Sequence, residues 1–176
     1  DRKLVGGRRL GKDVATASPE RIFMSLPPEI AERLKLPLIA APMFLVSGPE
    51  LVIAACRAGV IGSFPTANCR TVDELDKWLE RMGRETGADS APIAPNLIVH
   101  RTNTRLPQDL EVLARHRPPL VIASVGSPEK IVDAVHGWGG LVLADIASMR
   151  HAQKAIAAGA DGLILLTGGA GGQTGW

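Results

Sequence analysis

Few side chains in this sequence could do chemistry unaided, and those that could stand where short apolar runs give way to loops. The last run, Gly162 to Leu166, opens into Thr-Gly-Gly-Ala-Gly-Gly-Gln-Thr-Gly-Trp, ending at Trp176. Glycines in such a loop permit positive φ and let backbone N–H groups approach an anion or a polarised ring. Earlier runs release Ala41-Pro42-Met43, Ser63-Phe64-Pro65, Asn96 followed by His100, Ser124-Val125-Gly126, and Asp145. His, Asp, Glu and Cys are not grouped at metal-ligand spacing, and no Ser-His-Asp arrangement is visible. A set so low in charge suits a flat, largely apolar cofactor whose own ring carries the reaction while backbone and amide groups orient it.

The runs themselves must supply the scaffold. Pro37 to Ala41, Val60 to Ser63, Ile93 to Val99, Leu120 to Ser124, Leu141 to Asp145 and Gly162 to Leu166 read as strands, apolar on both faces as buried parallel strands are. Helices are expected between them. Pro27 to Leu34 predicts a short one with prolines at its start, and Ser47-Gly48-Pro49-Glu50 opens another that Gly59 closes. Thr71-Val72-Asp73-Glu74 is a capping box for a helix with Val72, Leu75, Trp78, Leu79 and Met82 on one face. Ser127-Pro128-Glu129 starts one that turns Ile131, Val132 and Val135 inward, and the last runs from Ser148 to Ala158. Helix, glycine, strand recurs at Gly59, at Gly137 to Gly140, and at Gly159 to Gly162, with glycine as left-handed cap.

Such alternation argues for parallel βα units. Six of them, roughly 20 to 30 residues apart, match the repeat of a (β/α)8 TIM barrel, which typically needs about 250 residues. The expectation is an α/β fold, a barrel truncated after six units. A doubly wound sheet is the rival, but the first loop, Pro42 to Pro49, has no G-x-G-x-x-G and no acidic ribose ligand follows it. Residues 1–23 are polar, without sustained period, and are expected to be an N-terminal extension, leaving 24–176 as the N-terminal part of the barrel.

Composition removes several function classes. The 176 residues are 45% hydrophobic and 22% charged with a formal net charge of +2, neither the profile of disorder nor the basic surplus of a nucleic-acid binder. Aromatic residues make up only 3%, poor material for base stacking. Cys56 and Cys69 lack metal or C-x-x-C spacing and read as free thiols in a reducing compartment. No apolar stretch is long enough to span a bilayer and no signal-peptide core is seen, so the expected location is cytoplasmic, without nucleic-acid or membrane partners.

Four segments together resemble the nitronate monooxygenase family, also called 2-nitropropane dioxygenases: Leu38-Ile-Ala-Ala-Pro-Met-Phe-Leu-Val-Ser-Gly-Pro-Glu-Leu51, Ala94-Pro-Asn-Leu-Ile-Val-His100, Ala157-Ala-Gly-Ala-Asp-Gly162 and Gly169-Ala-Gly-Gly-Gln-Thr-Gly175. The A-P-M turn and the A-G-G loop at this separation carry the resemblance. It implies an FMN-dependent TIM-barrel enzyme that oxidises alkyl nitronates with molecular oxygen. Relatives of that family include flavin-dependent enoyl-acyl-carrier-protein and quinone reductases, which supply a second reading as an NAD(P)H-dependent reductase. A non-catalytic barrel fragment is the third.

By the same resemblance Ala41, Pro42 and Met43 would line the flavin ring, Asn96 would bond its polar edge, and Gly171 and Gly172 would let the loop pass against it. Proline and methionine there also suit a plain strand end and a packed gap. Many family members have histidine where Gln173 stands, as the base that takes the substrate's α-proton. An amide can donate to a nitro oxygen but takes up no proton near neutral pH, so Gln173 suits a substrate supplied as the anionic nitronate. His100 is an alternative base if the third strand continues that far, or a solvated loop residue. Ser124 and Asp145 face the mouth by position, and Asp145 either contacts the flavin or caps the last helix. His116, His136 and His151 are expected to be solvated. The phosphate of FMN belongs to loops after later strands, beyond residue 176, in a segment that could be a separate partner.

Overall fold

The computed structural model describes residues 26–172. Six strands, β1 (Ile39–Ala40), β2 (Ile61–Pro65), β3 (Ile93–Ile98), β4 (Leu120–Ser124), β5 (Leu141–Ile146) and β6 (Gly162–Leu165), form one sheet. Their order in space is their order in the chain, and every pairing is parallel. A doubly wound sheet reverses strand order at its switch point, so that alternative is excluded. The sheet is the singly wound arrangement of a (β/α)8 barrel, and the described residues provide six of the eight strands.

Helices α1 (Pro28–Ala31), α2 (Pro49–Arg57), α3 (Val72–Glu85), α4 (Leu106–His116), α5 (Glu129–Gly137) and α6 (Met149–Ala157) alternate with the strands. A 3-10 turn, Thr66–Asn68, follows β2. Local chemistry explains most boundaries. α2 begins with Pro49, whose missing N–H would have no partner in a first turn, and carries Glu50 there to favour the positive end of the helix dipole. Thr71 Oγ1 accepts the Glu74 N–H at 3.1 Å, while the Glu74 carboxylate reaches the Arg70 N–H at 2.6 Å, one residue earlier than a capping box requires. Ser148 Oγ accepts the His151 N–H at 3.2 Å and so caps α6. The cap considered for Asp145 is therefore already supplied by Ser148.

Three sequence expectations need adjustment. α4 has no capping side chain at its start, which is marked by Pro107 in its first turn, and it ends on Arg117 at φ 50° instead of on glycine. β1 is two residues long, with Pro37, Leu38 and Ala41 outside the strand, although Leu38 O still accepts the Ile61 N–H at 3.0 Å. Full burial on both faces holds for β2 and β4 and nearly for β3, whereas β1 and β6 are half-exposed edges with Leu38 and Leu165 more than half open. Glycine at positive φ does reverse the chain at Gly59, Gly139 and Gly159.

The core has two layers set by strand alternation. Phe64, Leu97, Val121 and Val142 face outward and pack under the helices against Val52, Leu75, Met82, Leu113 and Ile131. Ile61, Ala94, Leu120 and Ile122 face inward, joined by Ile39, Leu141, Leu143 and Ile164. Ile30 of α1, 3% exposed, joins this inner layer at the strands' N-terminal end and stoppers it. Each such aliphatic side chain contributes about 1.5–3 kcal/mol by leaving water. With the inner layer filled below, inward positions toward the C-terminal ends of β3, β4 and β5 are taken by the polar residues Asn96, Ser124 and Asp145. Among the described residues no helix is long and apolar enough to cross a membrane.

Candidate functional site

Continuing the inward alternation of β3, β4 and β5 leads to Asn96, Ser124 and Asp145, side by side at the C-terminal end of the sheet. Asn96 is 5% exposed, and its Nδ2 donates to Ile122 O at 3.2 Å and to Ser124 Oγ at 2.5 Å. A carbonyl can only accept, so the amide's orientation is fixed by Ile122. Asn96 Oδ1 then accepts no hydrogen bond among the described residues, although the atom is not sealed from solvent. Ser124, by accepting from Asn96, keeps its own hydroxyl proton free to donate. The trio thus offers one acceptor, one donor and one carboxylate.

Asp145 Oδ1 accepts the N–H of Val125 at 3.3 Å. Val125 stands at φ 60°, a conformation that β-branched residues rarely adopt, and it is followed by Gly126 at φ 153°. Asp145 therefore holds the backbone of the β4–α5 loop in a strained turn beside the site.

The loop after β1 forms the adjoining wall. Ala41 is exposed, Pro42 half-buried, and Met43 41% exposed, followed by Phe44, Leu45 and Val46 at 65%, 79% and 64%. Three consecutive open apolar side chains would normally mark a loose loop, yet this one is tied at both ends. Ser47, 1% exposed, accepts the Met43 N–H at 3.0 Å and donates to Ala41 O at 3.2 Å. Asn68, on the turn after β2, accepts the Leu45 N–H at 2.9 Å and donates to Met43 O at 3.1 Å and Ser47 O at 2.9 Å. Leu45 takes φ 61° within this frame.

The turn bearing Asn68 is itself clamped. Arg105 donates to Cys69 O at 2.6 Å and Thr66 O at 2.7 Å, and meets Asp109 at 2.8 and 3.2 Å. Asp109 is 1% exposed. Ser63 Oγ adds a bond to Ala40 O between β2 and β1. Sequence reasoning singled out none of Asn68, Arg105 and Asp109 and saw Ser47 only as a helix opener. The available signal was position, since Thr66-Ala67-Asn68 directly follows a strand's C-terminal end.

His100 lies past the end of β3, although the Val99 N–H still bonds Ser124 O at 2.9 Å. Its Nδ1 sits 2.9 Å from Thr102 Oγ1, within a turn closed by the Asn103 N–H on His100 O. Gly171 and Gly172 are exposed, Gly172 has φ 75°, and a Cβ at Gly168, Gly169, Gly171 or Gly172 would meet no described atom. Gln173 lies outside the described residues, as does the extension over 1–23. His136 is exposed as expected and His116 half-buried, and both have carboxylate partners: His116 Nε2 lies 2.7 Å from Asp76, and His136 Nε2 lies 2.9 Å from Asp161. Hydrogen bonds from His116 and then Arg115 hold the Asp76 carboxyl below its ordinary range. Cys56 and Cys69 are free and buried. Burial pushes both thiols up, Cys69 to about 12, with the nearby Glu74 carboxylate adding to the effect.

No family model matches the chain. Among curated proteins it is 25% identical over 139 residues to a (3aS,4S,5R,7aS)-5-hydroxy-7a-methyl-1-oxo-octahydro-1H-indene-4-carboxyl-CoA dehydrogenase of Rhodococcus jostii (strain RHA1), covering 79% of this chain and 38% of that protein. Among solved structures it resembles a nitroalkane oxidase from Streptomyces ansochromogenes, with a TM-score of 0.73 and 24% identity over 84% of this chain and 50% of that one. FabK from Thermotoga maritima follows with a TM-score of 0.68 and 23% identity, covering 76% of this chain and 41% of that one. These structural likenesses establish the fold. The chain spans about two fifths of the length of the curated relative and half or less of the two solved structures.

Proposed function

We propose that the chain forms the ring-binding part of a flavin-dependent oxidoreductase of the nitronate monooxygenase kind, with FMN as cofactor and alkyl nitronates and molecular oxygen as substrates. The observation that carries this reading is the Asn96–Ser124 pair. A buried amide with an unclaimed acceptor, beside a hydroxyl with an unclaimed proton, matches the alternating donors and acceptors along the polar edge of a flavin ring. Pro42 and Met43 would pack on the ring's face, with the exposed Met43 thioether as a polarisable contact. Ala41 would lie beside them. Asp145 keeps one carboxylate oxygen for the same edge, and the open Gly171-Gly172 backbone can approach without steric obstruction. FMN, when bound, would supply the redox chemistry, accepting electrons from the substrate and passing them to oxygen.

The chain's own residues then have modest tasks. Gln173 donates its amide to a nitro oxygen and orients an anionic nitronate, which has no α-proton left to remove. For a neutral nitroalkane a base is needed, and His100 is the residue at this end of the sheet with the chemistry for it. For its Nε2 to take the α-proton, the ring's resting proton must sit on Nδ1 and be donated to Thr102 Oγ1, 2.9 Å away.

A second reading, an NAD(P)H-dependent flavin reductase acting on an enoyl thioester or quinone, is favoured by the likeness to a protein described as a carboxyl-CoA dehydrogenase, whose substrate carries a CoA thioester. The exposed Phe44-Leu45-Val46 triplet also suits a substrate with a sizeable apolar part. One experiment separates the readings. FMN is added to the purified chain, and the visible spectrum is followed anaerobically with an alkyl nitronate and, separately, with NADH. Bleaching by the nitronate supports the first reading, and bleaching by NADH supports the second. A chain that binds no FMN sinks both readings for these 176 residues taken alone.

A further inference from the structure

We propose that Asn68 is the positioning residue of the site: through its amide it holds the Pro42–Ser47 loop as a preformed apolar wall, so that this loop is not a mobile lid. The function assigned to that wall, facing a bound flavin ring and the apolar part of a substrate, rests on the reading given above. The mechanical part does not.

Three observations converge on Asn68. First, all three of its side-chain hydrogen bonds go to one loop, to the Leu45 N–H and to the carbonyls of Met43 and Ser47. An N–H on one side and two carbonyls on the other admit only one amide orientation, and no other uncharged side chain of this length offers an acceptor and two donors together. Second, the loop it holds has no apolar packing to keep it in place. Phe44, Leu45 and Val46 are all mainly exposed, and Leu45 occupies positive φ without being glycine. Nothing in the triplet's own burial stabilises that shape, so polar ties must. Third, Asn68 is anchored from behind. The turn that carries it is gripped at Thr66 O and Cys69 O by Arg105, whose guanidinium is fixed in turn by the buried Asp109. The ties thus run from α4 through the turn after β2 to the loop after β1, crossing three βα units.

A wall made this way needs no ordering when a ligand arrives, which favours binding because the entropy of the loop has already been lost on folding. A lid would behave in the opposite manner, closing on the ligand and becoming protected only then.

The test uses the purified chain without added flavin, and reads amide hydrogen exchange at Val46 and Ser47. Both N–H groups bond Met43 O within the loop and neither touches Asn68, so faster exchange reports the loop and not the deleted contact. Asn68→Ala should speed their exchange at least tenfold while Leu97 and Val121 in the core strands stay protected. Asn68→Asp keeps an oxygen for the Leu45 N–H but sets oxygen against two carbonyls, and should loosen the loop as much as alanine does. Ser47→Ala, which removes the inner tie between Met43 and Ala41, should accelerate Val46 as well. Wild-type exchange at Val46 and Ser47 in Asn68→Ala or in Asn68→Asp overturns the proposal, as does rapid exchange of these amides in the unmodified chain. Titration with FMN is the second arm, where Asn68→Ala should weaken binding about tenfold relative to the unmodified chain. If neither protein binds FMN, the flavin reading fails while the exchange data still decide whether Asn68 positions the loop.

Discussion

Replacing Arg105 by methionine should be among the most damaging single changes in the described chain. The substitution keeps most of the side chain's apolar length and removes four hydrogen bonds, two to Asp109 and one each to Thr66 O and Cys69 O. It leaves the Asp109 carboxylate, 1% exposed, without its counter-charge. Stranding a buried charge in this way typically costs about 3–5 kcal/mol. Domains of ordinary stability have only about 5–15 kcal/mol in total, so about a fifth of the margin or more would go. The double variant Arg105→Met with Asp109→Leu removes the stranded charge along with its partner. It should recover most of the loss, leaving about 1–3 kcal/mol for the Cys69 carbonyl, whose donor is gone. Urea unfolding followed by circular dichroism on the wild type, both single variants and the double variant gives the coupling energy directly. A single-variant cost under about 1 kcal/mol, or a double variant as unstable as the sum of the singles, would refute the view that Arg105 and Asp109 act as one buried unit.

The remaining predictions concern caps, backbone shape and thiols. Ser148→Ala should cost about 1 kcal/mol in urea midpoint terms by uncapping α6, and an unchanged midpoint would show that the His151 N–H is satisfied by water equally well. Gly62→Ala should destabilise by about 1–3 kcal/mol, because the new methyl would lie 2.6 Å from Val52 O and 2.9 Å from Cys56 Sγ, with backbone unable to yield easily. Val125→Gly should raise the thermal midpoint, since it relieves a positive φ and keeps the N–H that Asp145 accepts; a lower midpoint counts against strain at that turn. Cys69 should resist thiol reagents at pH 8 until the chain unfolds. The folded chain keeps this proton up to about 12 while the unfolded thiol releases it near 9, so stability should fall as pH rises through that interval, by at most about 1.4 kcal/mol per pH unit from this group. Pulse labelling and urea titrations at pH 8 and 10 check both statements.

The sequence made the βα alternation legible because buried parallel strands write themselves as apolar runs, and Gly59, Gly139 and Gly159 punctuate them where positive φ is needed. It also brought Asn96, Ser124 and Asp145 forward by position alone, since a polar residue at the end of an apolar run has little else to do. What it hid was held together across long separations. Asn68 meets residues 21 to 25 positions earlier, Arg105 reaches back 36 and 39, and Asp76 meets His116 across 40. Such pairs leave no local pattern, because each partner alone is an ordinary surface residue. α4 was hidden for a different reason. Its start has Pro107 in the first turn but no capping side chain, and its end falls on Arg117 where glycine would announce it, so only one weak local signal marks it.

The match between spatial and sequential strand order has a consequence for how the chain reaches this shape. Paired residues in adjacent strands are 19 to 31 positions apart throughout the sheet. No described strand pair requires a longer loop to close, and doubling such a loop would add only about 0.6 kcal/mol of entropy. Assembly can therefore proceed by adding one unit to the flank of the last, as in a stacked repeat array. The same arithmetic runs backwards. Opening should begin at β1 and β6, each held by one neighbour, and β3 and β4 should surrender last.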